Sequence, residues 1–344
     1  MHMADGFISP AVGCTMWAAS AAITTLCARK VRQEKEMRLV PLMGVLGAFI
    51  FACQMLNFTI PGTGSSGHLG GGLILAVLLG PYAGFLVMAA ILTVQALFFA
   101  DGGLLALGCN IFNMGFFSCL VAYPFIYRPL AGTKTGTGRI TLASVIAAVI
   151  GLQMGAFSVV LETTASGISA LPFAQFVELM LPIHLAIGLI EGLITAAVLL
   201  FLYEARPELL RDVCTGGETA GKVSFKGTIA VIALAAVLVG GGLSLLASGN
   251  PDGLEWSLFG NSDAGYTQNM GLDEDSYGVQ SSAADKAGAV QEKTAFLPDY
   301  SFAGSDSAAG TSVSGIAGAA IVAAAAALIC GVGGICRHKK RHQS

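Results

Sequence analysis

Nine apolar runs limit what this chain can fold into. They fall at residues 9–28, 40–60, 69–80, 82–100, 104–127, 139–163, 174–203, 227–248 and 313–335. A helix crossing a bilayer needs about 20 mostly apolar residues, and nearly all of these runs reach that length. The third is short and opens Gly70-Gly71-Gly72, which marks it as a partial or tilted span. Only 11% of the residues are charged and 54% are apolar, whereas a soluble domain carries about a quarter charged residues. The expected fold is an all-α integral membrane protein, with a seven-span helical core followed by two C-terminal transmembrane helices.

Charge placement orients the spans. Arg29, Lys30, Arg32, Lys35 and Arg38 follow the first run, and basic residues collect on the cytoplasmic side. Alternating from there, Arg128 to Arg139, Arg206 to Lys226 and the tail Arg337 to His342 all fall inside. The amino terminus, 57–68, 100–103, 164–173 and 249–312 fall outside. The expected location is the plasma membrane, with an extracytoplasmic N-terminus and a cytoplasmic C-terminus. No Lys or Arg precedes the first run, so the start lacks the basic n-region of a cleaved signal. The segment 249–312 is polar, with Asp273-Glu274-Asp275, and reads as a flexible outer loop. Three parts follow: a core at 1–205, a linker at 206–226 and a two-span module at 227–344. The net charge of −3 gives nucleic acid no support. The eight cysteines form no CxxC pair and read as packing residues.

His2 sits beside the start methionine. A free amine at Met1, the deprotonated amide of residue 2 and the His2 imidazole form small fused chelate rings around one ion. They supply three nitrogens and leave the fourth in-plane position open. Square-planar nitrogen coordination suits nickel(II) or copper(II). The missing imidazole is expected from His68, in Thr63-Gly64-Ser65-Ser66-Gly67-His68-Leu69-Gly70, on the same outer side. Of the five His, two lie in the basic tail and His184 lies within the seventh span.

These residues resemble a known family. Met1-His2-Met3-Ala4-Asp5-Gly6-Phe7, Gly62 to Leu69, Phe99-Ala100-Asp101-Gly102-Gly103 and Leu107 to Gly115 look like the NikM/CbiM family. Its members are the substrate-binding components of energy-coupling-factor importers for nickel and cobalt. The resemblance covers about residues 1–205. Pro251-Asp252-Gly253-Leu254-Glu255 resembles the signature of a two-span PDGLE or NikN-like module, over 227–336. Met3 stands where isoleucine is common, and Gly64-Ser65-Ser66 also departs from the pattern. The resemblance implies that Met1, His2 and His68 bind the ion. It implies a transported nickel or cobalt ion with no permanent cofactor. It also implies a transmembrane coupling protein and two separate ATPase subunits, so that this chain is not itself an enzyme. The family docks its coupling protein on small residues of the kind seen at Gly44, Ala48 and Ala52. Small residues at this spacing equally serve helix packing within the chain.

Polar residues within apolar runs are functional candidates by default. Asp5, Ser66, Asp101, Asn110 and Asn113 fall where they would orient His68 or the amino-terminal segment. Gln95, Glu162, Glu178, His184 and Glu191 lie in or near the runs, and His184 and Glu191, seven apart, share one helix face. They read as interhelical partners or as the lining of an exit route. A self-sufficient secondary transporter or channel is the rival reading, and would need Glu162, His184 and Glu191 along its path. Gly62-x-Gly64-x-x-Gly67 lacks the βαβ setting of a dinucleotide site, and neither GxxxxGK[ST] nor HExxH occurs.

Overall fold

The computed structural model describes residues 2–33, 39–132, 136–167, 172–210, 223–261, 281–302, 304–305 and 307–341, without side chains at 39 and 329–341. Met1, Lys35, Arg38, Lys134, Arg211, Cys214, Lys222, the acidic run 273–275 and His342 lie outside the described residues.

The helices follow the apolar runs: α1 Pro10–Gln33, α2 Leu39–Gln54, α3 Gly72–Leu79, α4 Pro81–Phe99, α5 Leu107–Ala131, α6 Thr137–Ala165, α7 Phe173–Ala205, α8 Phe225–Gly241 and α11 Ala308–Arg341. Among the described residues, seven helices are long and apolar enough to cross a membrane. That is fewer than the nine runs imply. Helix α2 has 16 residues and α3 only 8, so α3 rises about 12 Å, well short of a bilayer core of about 30 Å. Every residue of α3 is buried. A short helix that is apolar all round is a core element, and α3 sits between α2, α4, α5 and α7.

The chain is not purely helical. Phe58–Ile60 (β1) pairs antiparallel with Ser65–Gly67 (β2), and Thr59 stands opposite Ser66. This hairpin occupies the Gly/Ser-rich connection before His68.

The C-terminal helices pack into the core. Helices α8 and α11 both pack along α2. Gly44 lies against the Ala323 backbone, and Ala52 against Gly240. Ala48 and Ala52 are buried. The small-residue face expected to dock a coupling protein is therefore covered by the chain's own C-terminal helices. The described parts of 249–312 carry helices. These are α9 Gly253–Phe259 and α10 Ser282–Thr294, and both pack onto the hairpin end of the bundle.

Candidate metal centre

The first described residues thread into the bundle. Met3 is 0% exposed. Its N–H donates to Asn110 Oδ1 at 2.8 Å, and Asn110 Nδ2 donates to the Met3 carbonyl at 3.2 Å. Gly103 N–H donates to the same carbonyl at 2.9 Å. The backbone of residue 3 is thus held as tightly as in a sheet ladder. Asp5 accepts from Ala106 N–H at 3.0 Å. Gly103 must lack a side chain, because a Cβ there would overlap the Asp5 carboxylate and backbone N. Asp5 and Asn110 thus fix the path of the amino-terminal segment.

His68 follows β2 and is fixed from below. Glu191 of α7 accepts from Gly70 N–H and Gly71 N–H, both at 3.0 Å. Glu191 therefore secures the turn after His68, and helix α7 sets the height of the hairpin. Ser66 does not contact the imidazole. Its N–H donates to Pro251 O at 2.8 Å and its Oγ to Asn250 O at 2.8 Å, tying the hairpin to the C-terminal segment.

These anchors bring His2 and His68 together across 66 positions. Their rings stack with centroids 5.1 Å apart and planes 28° apart. His2 Nδ1 lies 3.4 Å from Asp101 Oδ1, and His2 Nε2 lies 3.3 Å from Gln95 Oε1. His68 Nδ1 is 3.2 Å from the Leu69 carbonyl, while its buried Nε2 has no partner. A buried polar group left unpartnered costs about 1–3 kcal/mol. Burial lowers the pKa of His2, opposed by Asp101. Burial, then the amino-terminal charge and His2, lower that of His68 to about 3. Both imidazoles are therefore neutral at pH 7, the form that ligates a metal. Among the described residues, no three His, Cys, Asp or Glu side chains converge as a metal cage. Side chains alone do not complete a coordination sphere here.

The C-terminal segment closes over this pair. Asp252 caps α9, accepting from Leu254 N–H at 2.8 Å and Glu255 N–H at 2.9 Å. Burial raises its pKa, but the amino-terminal charge, the Glu255 N–H and His68 outweigh burial and hold Asp252 below the usual carboxylate range. Tyr300 donates to Asp101, and Gln291 of α10 donates to the Gly102 carbonyl at 2.7 Å and the Ala96 carbonyl at 2.9 Å. Asp252, Gln291 and Tyr300 are not among the expected site residues. The Pro251 to Glu255 motif was visible in the sequence, but nothing local showed that it folds back over residue 68.

Asn113 donates to Glu162 at 2.8 Å and sits 3.9 Å from the Met3 sulfur. This buried pair supports Met3 and does not reach the imidazoles through any described hydrogen bond. His184 turns its Nδ1 onto the Met180 carbonyl at 2.7 Å, one helical turn away.

Two family models match the chain. One describes a cobalt uptake substrate-specific transmembrane region and covers residues 2–209, and the other describes a PDGLE domain and covers 226–334. The chain belongs to the CbiM family. A fused nickel transport protein, NikMN, of Archaeoglobus fulgidus is 34% identical over 328 residues, covering 94% of this chain and 96% of that one. The fused NikMN of Rhodobacter capsulatus is 32% identical over 222 residues, 61% of this chain and 64% of that protein. A solved structure of a truncated transition metal transporter superposes with a TM-score of 0.53 at 32% identity, covering 59% of this chain and 99% of that one. This CbiM-family chain is thus a nickel or cobalt transport membrane component. Its PDGLE region carries Asp252, so the second module contributes directly to the surroundings of His68.

Proposed function

We propose that this chain is the substrate-binding component of an ATP-driven energy-coupling-factor importer. It captures nickel(II) or cobalt(II) on the extracytoplasmic side of the plasma membrane. The Met1 amine, the residue-2 amide, the His2 imidazole and His68 form the ligand set. The observation that carries this reading is the stacking of His2 on His68, with the buried His68 Nε2 left without a partner. Gln95 Oε1, accepting from His2 Nε2, orients the ring and leaves Nδ1 for the ion, and Asn110 and Gly103 fix the backbone that carries it. Neighbouring carboxylates at Asp101 and Asp252 favour a dication.

ATP hydrolysis belongs to two separate ATPase subunits, and a transmembrane coupling protein transmits it. With the Gly44–Ala48–Ala52 face covered, that protein docks elsewhere or displaces α8 and α11. Uptake measured with and without ATPase subunits separates this reading from a self-sufficient secondary transporter, which would keep its activity without them. His2→Ala and His68→Ala should each weaken nickel binding by more than the roughly 10–100-fold seen when a residue only orients a ligand. Unchanged metal content in both variants would sink the reading.

A further inference from the structure

A pocket adjoins His68. It is lined by His68, Asn113, Ser118, His184, Glu191 and Asp252, among others. Three of these side chains present buried polar atoms without partners: His68 Nε2, Asn113 Oδ1 and His184 Nε2. Such atoms in a native interior are paired with a water, an ion or a ligand. His184 is 1% exposed, and its Nδ1 is committed to Met180, which leaves Nε2 as the acceptor-capable nitrogen. Glu191 uses its carboxylate on two amides and retains about two of roughly four lone-pair positions. His184 and Glu191, seven residues and about 10 Å of helical rise apart on α7, both line the pocket. One end is the PDGLE segment, where Gly253 abuts the His184 ring. Asn113 and Ser118 of α5 and Glu191 of α7 line the rest of it.

We propose that this pocket is a second position for the transported divalent ion, with His184 Nε2 as its protein nitrogen ligand. Asn113 Oδ1 and water complete a loosely held sphere, and Glu191 supplies the compensating charge. His68 stacks on His2 and also lines this pocket, so the two positions adjoin. The proposal rests on the capture reading for the identity of the ion but not for the existence of the second position.

The test is calorimetric titration of the purified full-length protein with nickel, alongside visible absorption of the bound ion. The wild type should show a tight and a weaker equivalent. His2→Ala should lose only the tight one. His184→Leu and His184→Phe, two apolar replacements that keep the site filled, should lose only the weaker one and leave the absorption of the tight site unchanged. A weaker equivalent that persists in both His184 variants overturns the proposal. Loss of both equivalents together in folded His184 variants also overturns it, because His184 would then be a capture ligand. A tight equivalent surviving His2→Ala overturns the capture reading instead.

Discussion

At the residue scale, the proposed capture site rests on backbone held in place as much as on the imidazoles. Gly103 shows this most sharply. It touches no ion, yet a methyl there would overlap Asp5 and push the amino-terminal segment out of its hydrogen bonds to Asn110. Gly103→Ala should therefore reduce nickel affinity at least tenfold while leaving the helical circular dichroism intact. The pH response has a definite sign. Free imidazole titrates near 6.5, but His2 and His68 are held below that value by burial. Protons therefore do not compete for these rings as pH falls from 8 to 6. The amine, near 8 when free, and the amide must still lose their protons. Nickel affinity measured by competition titration should fall by about tenfold per proton per pH unit, with no added steepening near 6.5. In the metal-free protein the same depression means that the unfolded state binds more protons below about 6.5. Stability should decline as pH falls from that value toward the folded pKa near 3, and a thermal melt at pH 7.5 against pH 5 reads it.

At the element scale, sequence patterning located the helices well and their depth poorly. The runs at 82–100, 139–163 and 174–203 became full spans because each is long and uninterrupted. The run at 69–80 became the 8-residue α3 because Gly70 and Gly71 are spent as amide donors to Glu191. That carboxylate comes from 120 residues downstream, and no local pattern announces it. Glu191→Gln replaces one acceptor oxygen with an amide nitrogen, which cannot accept from a glycine N–H. A hydrogen bond to a charged group is worth about 1.5–3 kcal/mol, so nickel affinity should drop roughly tenfold or more through misplacement of His68. The small residues of α2 were legible as a packing stripe, but its partner was not. That partner is internal, and it requires α8 and α11 to approach closely at Gly240 and Gly315, where a Cβ on Gly315 would overlap the Gly240 backbone. Gly315→Leu should separate these helices and lower the melting temperature in detergent.

At the scale of the whole molecule, the chain reads as two modules in sequence and one site in space. The candidate residues His2, His68, Asp101 and Asn110 were legible because they sit in short motifs on one predicted side of the membrane. Asp252, Gln291 and Tyr300 were not, because their contacts span about 190 residues or join different family regions. Asp252 both caps α9 and faces His68, so Asp252→Ala should cost about 0.5–2 kcal/mol in helix capping and also weaken nickel retention. The second effect is read from the off-rate of preloaded metal. A role in capping alone would leave that off-rate unchanged.

The central claim is that the ion is held by nitrogens of the chain's first two residues together with His68. The most direct measurement is the nickel affinity of the purified protein with Met1 at its amino terminus, compared with the same protein carrying one extra residue ahead of Met1. No side chain is removed, and only the amine and its chelate ring are displaced. The account predicts that the extension abolishes tight binding about as completely as His2→Ala. Equal affinity in the two proteins would contradict it.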